Sequence, residues 1–273
     1  AGDFFIHHMA DFRQFGLIGK NIDYSFSKKY FTEKFGAEGL QANTYENFDL
    51  SDITEFQDII EQNPDLSGLN VTIPYKESIL PYLDKLSKNA KAIGAVNTIR
   101  FTKKGKLKGY NTDWFGFTKA IEHMLERHHQ KALILGTGGA SKAVAFALEK
   151  MGIGHLFVSR KNGRNTINYE QITPYLMAEY TLVINTTPLG TFPNVTVCPD
   201  VPYEYFSPRH LAFDLIYNPE ETLFLQRARM TGAKTKNAGE TKTAYQAFGE
   251  FLKRRGRDME AEEYLNKAKA IKA

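Results

Sequence analysis

Cysteine is nearly absent: Cys198 is the only one among 273 residues. No intrachain disulfide can form, and a reducing, cytoplasmic setting is expected. Cys198 lies between Val197 and Pro199 with no nucleophile signature around it. Long apolar runs are also missing. Nothing approaches the roughly 20 residues a membrane-spanning helix needs, and the N-terminus lacks a basic segment followed by a long apolar one, so neither membrane insertion nor secretion is expected. His7-His8-Met9 reads as part of an expression tag, and residues 1 to 10 are set aside. Charge of one sign is not in excess either. With 35 basic against 31 acidic residues the net charge is +4, too little for a polyanion field, and nucleic acid is not an expected partner. His128 and His129 have no cysteine or aspartate at ligand spacing, so no metal site is expected.

What is present is an alternation of short strands and helices. A hydrophobic content of 42% with 24% charged residues suits one large or two ordinary globular domains. Strands are predicted at 15–19, 43–48 and 69–73, the last stopped by Pro74, with helices at 28–35 and 52–62 between them. A hairpin is predicted from 98–101 and 106–110. Its lysine-rich turn reads either as an anion patch or as a solvated turn. A helix over 117–125 leads to a second alternation: strands at 131–135, 156–159, 182–185, 211–217 and 234–237, and helices at 141–151 and 222–231. The charged segment 241–273 reads as helical. The fold class is therefore α/β, with largely parallel sheets.

The apolar strand Ala132-Leu133-Ile134-Leu135 runs straight into Gly136-Thr137-Gly138-Gly139-Ala140-Ser141, and helical spacing follows. This is the order a dinucleotide fold requires. The glycines allow a tight turn and close approach of a pyrophosphate, whose charge meets the amides at the helix N-terminus. Ser141 occupies the position of the usual third glycine. At the end of the next strand, an NAD enzyme presents an acidic residue to the ribose diol. Here stand Ser159, Arg160 and Lys161, with Arg164 close behind. A guanidinium and an ammonium match a 2′-phosphate, which favours NADP. Asn185, Thr186 and Thr187 end a buried-looking strand, where they serve either a nicotinamide ribose or a simple turn.

In the first half, Lys76 closes the run Asn70-Val71-Thr72-Ile73-Pro74-Tyr75-Lys76, and Asp113 closes Asn111-Thr112-Asp113. Asn70, Thr72, Asn97 and Thr112 put hydrogen-bonding side chains where a merely structural strand would more often carry Val or Ile. A lysine and a carboxylate in such settings suggest a proton-transfer pair in a polar pocket.

Taken together these motifs resemble the shikimate dehydrogenases, NADP-dependent enzymes of aromatic amino-acid biosynthesis. The resemblance runs from about Phe15 to Phe248 through Tyr24-Ser25-Phe26-Ser27, Asn70 to Lys76, Gly94 to Thr98, Asn111-Thr112-Asp113, Gly136 to Ser141, Asn185 to Gly190, Asp214-Leu215-Ile216-Tyr217 and Gln246. It implies a substrate domain over residues 11–112, a Rossmann-type NADP domain over 113–239, and a segment 240–273 returning to the first. It implies that Ser25 and Ser27 hold a substrate carboxylate, although alone they read as helix caps. Asn70, Thr72, Asn97 and Gln246 would contact ring hydroxyls, Tyr217 would line the pocket, Gly239 would border the cofactor, and Lys76 and Asp113 would be the catalytic pair. The implied substrate is 3-dehydroshikimate or shikimate, on a monomer or homodimer.

The sequence departs from the family pattern at three places. Lys28 replaces a proline, Trp114 is bulky after the aspartate, and Glu240 and Lys242 bring charge into the normally apolar stretch before Gln246. Quinate or a related polyol acid is a second candidate substrate, and a catalytically silent metabolite sensor a third reading.

Overall fold

The computed structural model describes residues 12–23, 25, 27–102, 104–161 and 163–238. They fall into two compact units, one ending at Asn111 and the other beginning at Thr112. The predicted helix after residue 241, Gly239 and Gln246 lie outside the described residues.

The first unit begins with β1 (Arg13–Gly19), which pairs in parallel with β2 (Asn43–Asp49) on one side and β3 (Leu66–Val71) on the other. Helix α1 (Ser27–Ala37) connects β1 to β2, and α2 (Phe56–Gln62) connects β2 to β3. A capping box starts the turn ahead of α2: Asp52 accepts from the Thr54 amide at 2.9 Å, while Glu55 takes the Asp52 N–H. The sheet then turns antiparallel through β5 (Thr98–Phe101) and β6 (Leu107–Tyr110), with the short β4 (Lys85–Leu86) at its edge and α3 (Lys88–Ile93) between β4 and β5. Among the described residues the strand order is β2-β1-β3-β5-β6-β4. Ile18, Leu50, Phe56, Ile79 and Ile99 form the centre of its core, each 1% exposed or less. Burying one such side chain stabilises by roughly 1.5–3 kcal/mol.

The second unit opens with α4 (Asp113–Ile121), four residues earlier than its apolar spacing predicts. The start is set by polarity: Asp113 places its carboxylate in the first helical turn, where unpaired amides favour negative charge. After α4 come β7 (Lys131–Leu135), α5 (Gly139–Lys150), β8 (Gly154–Val158), β9 (Thr166–Ile167), α6 (Pro174–Glu179), β10 (Leu182–Asn185), β11 (Leu211–Asp214), α7 (Leu223–Met230) and β12 (Lys234–Asn237). Every described strand pairing here is parallel, in the order β12-β11-β10-β7-β8-β9. Counted from β7 this is 3-2-1-4-5-6, the doubly wound dinucleotide order, and its switch point lies between β7 and β10.

Strand periodicity explains why both faces of this sheet are covered. Ala132, Ile134, Leu182, Ile184, Leu211 and Phe213 turn one way, onto Phe117 and Ile121 of α4 and Val144 and Leu148 of α5. Leu133, Leu135, Val183 and Ala212 turn the other way, onto Met177 of α6 and Phe224, Leu225 and Ala228 of α7. Such strands read as continuous apolar runs rather than alternating ones. The strand predicted over 211–217 stops at Asp214, because that carboxylate captures the Ile216 amide at 3.0 Å and turns the chain.

Candidate active site

In the first unit Asn70, singled out from sequence, lies on a row that crosses the sheet. Leu17 of β1 stands opposite Asn47 on one side and Asn70 on the other, and Asn70 stands opposite Thr98. Asn70 Nδ2 donates to the Asn97 carbonyl at 3.4 Å and contacts Thr98 Oγ1 at 3.5 Å, while the Tyr45 hydroxyl donates to Asn70 Oδ1 at 2.9 Å. Thr98 Oγ1 in turn donates to Asn97 Oδ1 at 3.0 Å. Asn97 is only 9% exposed. Thr72 donates its amide to the Ile18 carbonyl and accepts from the Tyr75 amide, so the chain turns directly after β3. Tyr75 is buried with its hydroxyl on the Leu50 carbonyl at 2.6 Å, anchoring the turn that carries Lys76. The Lys76 carbonyl accepts from the Val96 amide at 2.7 Å, which places this lysine one residue pair from Asn97.

Ser25 and Ser27 sit at the entry to α1. The Ser25 amide donates to Ile22 O at 2.8 Å, and Ser25 Oγ accepts from the Ser27 amide at 3.3 Å. The preceding loop is held by Asp49, whose two oxygens accept from the Asn21 and Ile22 amides at 2.9 Å each. Asn47 Nδ2 reaches the same Ile22 carbonyl, while its buried Oδ1 has no hydrogen-bond partner among the described residues. Lys28, which stands for the family's proline, pairs with Glu46 at 2.6 Å on the exposed side.

In the second unit, the chain leaves β7 through Gly136 at φ +109°, a conformation L side chains rarely adopt. A Cβ there would also lie 2.9 Å from Thr186 Oγ1, so the glycine turn and the end of β10 meet at the sheet's switch point. Thr186 Oγ1 donates to Leu135 O at 2.6 Å, joining the ends of β10 and β7. Gly138 precedes the first residue of α5, Gly139, and a Cβ on it would meet nothing within 4 Å. That open space lies at a helix N-terminus, where backbone amides suit an anion. Ala140 follows in the first turn of α5, and Ser141, fully buried, donates to Gly138 O at 2.5 Å. This hydroxyl braces the turn where a third glycine would stand. Ser159 follows β8 and takes the Lys161 amide on its Oγ at 3.2 Å, and Arg160, Lys161 and Arg164 are exposed.

Asp113 begins α4, and the bulky Trp114 after it packs edge-on against Phe146 of α5 at 5.5 Å. Asn185 and Asp214, both fully buried, close the ends of β10 and β11. Asn185 Nδ2 donates to Asp214 Oδ1 at 3.0 Å, and Asn185 Oδ1 accepts from the Thr187 amide and hydroxyl. Thr222, at the start of α7, donates to Asp214 Oδ2 at 2.6 Å. Burial pushes the Asp214 carboxyl up to about 6, against the lowering effect of the bonds from Thr222, Ile216 and Asn185. Tyr217, on the loop that follows, is 54% exposed. Sequence reasoning overlooked Tyr45 and Asn47. The available signal was their spacing, two residues apart and so on one face of a strand.

The strand order, the left-handed glycine and the helix behind it define the second unit as a dinucleotide-binding domain of the Rossmann class. A model of the shikimate dehydrogenase substrate-binding domain matches residues 17–99, within the first unit. NADP(+)-dependent shikimate dehydrogenase of Caldicellulosiruptor saccharolyticus is 34% identical over 249 residues, covering 85% of this chain and 88% of that protein. The Methanosphaera stadtmanae enzyme of the same name is 36% identical over 81% of this chain and 83% of its own length. Among solved structures, the shikimate dehydrogenase of Thermus thermophilus in complex with NADP(H) and shikimate has a TM-score of 0.74 at 29% identity, covering 94% of this chain and 99% of that one. The chain belongs to the shikimate dehydrogenase family. Among the described residues no helix is long and apolar enough to cross a membrane.

Proposed function

We propose that this protein catalyses the reversible, NADPH-dependent reduction of 3-dehydroshikimate to shikimate, in the cytoplasm, as a step of aromatic amino-acid biosynthesis. The observation that carries this reading is the pairing of two sets of residues along one chain. Lys76 sits beside the Asn70–Asn97 amide network in the first unit, and the second unit has a glycine turn at a Rossmann switch point followed by Arg160 and Lys161. Its relative from Thermus thermophilus holds both NADP(H) and shikimate. In this reading residues 11–112 bind substrate together with 240–273, and residues 113–239 bind cofactor.

The roles follow from the chemistry of each group. Ser25 and Ser27 offer hydroxyls to the substrate carboxylate, and Asn70, Thr72, Asn97 and Gln246 bond the ring oxygens, with Tyr217 against the ring. Bound NADPH supplies the hydride that reduces the C3 carbonyl. Lys76 Nζ delivers a proton to the oxygen that gains charge and stabilises that charge while it forms, and Asp113, the acidic member of the proposed pair, accepts from a substrate hydroxyl. The backbone from Gly136 through Gly138 and Gly139 to Ala140 and Ser141 leaves room for the pyrophosphate. Arg160, Lys161 and Arg164, next to Ser159, face the 2′-phosphate with positive charge. Thr186, Thr187 and Gly239 border the nicotinamide ribose, while Asn185, expected there from the sequence, is fully buried and instead holds Thr187 through its side-chain oxygen. The relevant assay follows NADP reduction with shikimate and, separately, with quinate. Faster turnover of shikimate is expected, and activity with quinate alone would reassign the substrate.

A further inference from the structure

An asparagine side chain reads a ligand in one of two ways, since its oxygen accepts and its nitrogen donates. The first unit removes that ambiguity for Asn70. The Asn97 carbonyl is an acceptor only, so the amide atom 3.4 Å from it must be nitrogen. The opposite atom, the oxygen, is engaged by the Tyr45 hydroxyl at 2.9 Å. Tyr45 is itself immobilised: it is 3% exposed and stacks on Phe31 with ring centroids 4.4 Å apart and planes 12° from parallel. Phe31 leans on Phe35, and Phe35 on Phe15, so the hydroxyl is carried by an aromatic column between α1 and the sheet. Asn97 shows the same arrangement, its Oδ1 taking the Thr98 hydroxyl at 3.0 Å.

Resting on the function proposed above, we infer that Tyr45 is a positioning residue that acts through Asn70. Its hydroxyl occupies the amide oxygen, so that Asn70 turns its nitrogen to substrate: one N–H lies toward the Asn97 carbonyl at 3.4 Å, and the other, 3.5 Å from Thr98 Oγ1 and beyond the usual bond length, is the donor that reads a ring oxygen as an acceptor. Without that hydroxyl the oxygen of Asn70 has lost its donor, and only the long 3.4 Å contact to the Asn97 carbonyl still sets which way the amide faces. Tyr45→Phe keeps the aromatic column and removes only the hydroxyl on Asn70.

The test is a cycle of four proteins: wild type, Tyr45→Phe, Asn70→Ala and the double variant, each assayed with 3-dehydroshikimate and NADPH. Tyr45→Phe should raise KM for 3-dehydroshikimate about 3- to 10-fold, the worth of one hydrogen bond. It should leave KM for NADPH near the wild-type value and lower the melting temperature by only a few degrees, as the loss of one buried hydrogen bond does. On the Asn70→Ala background the same change should have no further effect. An unchanged substrate KM in Tyr45→Phe would overturn the inference, as would an equal loss on both backgrounds or a parallel rise in the NADPH KM. A wild type that turns over no 3-dehydroshikimate would instead overturn the function itself and the inference with it. The two failures are therefore distinguishable.

Discussion

Arg160 and Lys161 are exposed where the second strand of the Rossmann unit ends, and in the proposed function their charge selects the cofactor. A guanidinium beside a 2′-phosphate makes charge-assisted bonds of about 1.5–3 kcal/mol, whereas it gains little from a ribose hydroxyl. Arg160→Ala should therefore raise KM for NADPH roughly 10-fold or more and move KM for NADH far less. Steady-state kinetics with both cofactors checks this, and equal losses with the two would remove the phosphate from the account. At this scale the sequence was legible wherever a polar side chain interrupts an apolar run, as Asn70, Asn97 and Asn185 do. Tyr45 was not, because a tyrosine in a strand satisfies the pattern of a core residue, and only the 2.9 Å contact to Asn70 gives its hydroxyl a second meaning. The Oδ1 of Asn47, without a partner among the described residues, is likewise a fact of three-dimensional placement.

Between elements, Asp214 is the knot of the second unit. It joins the end of β10 through Asn185, the loop after β11 through Ile216 and the start of α7 through Thr222, all of them donors to its oxygens. Its folded value of about 6 lies above the ordinary 3.8. The sign follows from linkage. A carboxyl raised on folding contributes stability that is fully present below about pH 4 and is lost as pH rises through about 6, since the buried charge must then be carried. The stability of wild type relative to Asp214→Asn should thus fall between about pH 4 and 6 and be flat above. Thermal or urea unfolding of both proteins across that range measures it, and a difference independent of pH would exclude this titration. The same carboxylate explains why the predicted strand over 211–217 overruns the observed Leu211–Asp214. Apolar spacing carries no record of where a side chain will capture a backbone amide. The early start of α4 at Asp113 has the same origin, because helix polarity set it and the apolar residues from Phe117 onward could not. Strongly periodic stretches such as Lys131–Leu135 and the helix behind them were readable outright, and short elements such as α3 and α6 were not.

For the molecule as a whole, the alternation of strands and helices implied two α/β units, and the structure shows two mainly parallel sheets with the second in Rossmann order. The motifs that carried the resemblance run from Phe15 to Phe248, and one member of the family aligns over 85% of the chain. What composition and motif order could not supply was geometry: the row Asn47, Leu17, Asn70, Thr98 across the first sheet, and the meeting of Gly136 with Thr186 in the second. Both follow from strand register, which links residues far apart in sequence. The central claim is that this chain reduces 3-dehydroshikimate with NADPH and that Lys76 supplies the proton. Its most direct test is the loss of NADPH absorbance on mixing with 3-dehydroshikimate, measured for wild type and Lys76→Ala under the same conditions. Removing a positioned general acid is expected to lower kcat about 10²- to 10⁴-fold while wild type turns over readily. No NADPH oxidation by wild type, or equal rates in the two proteins, would contradict the claim.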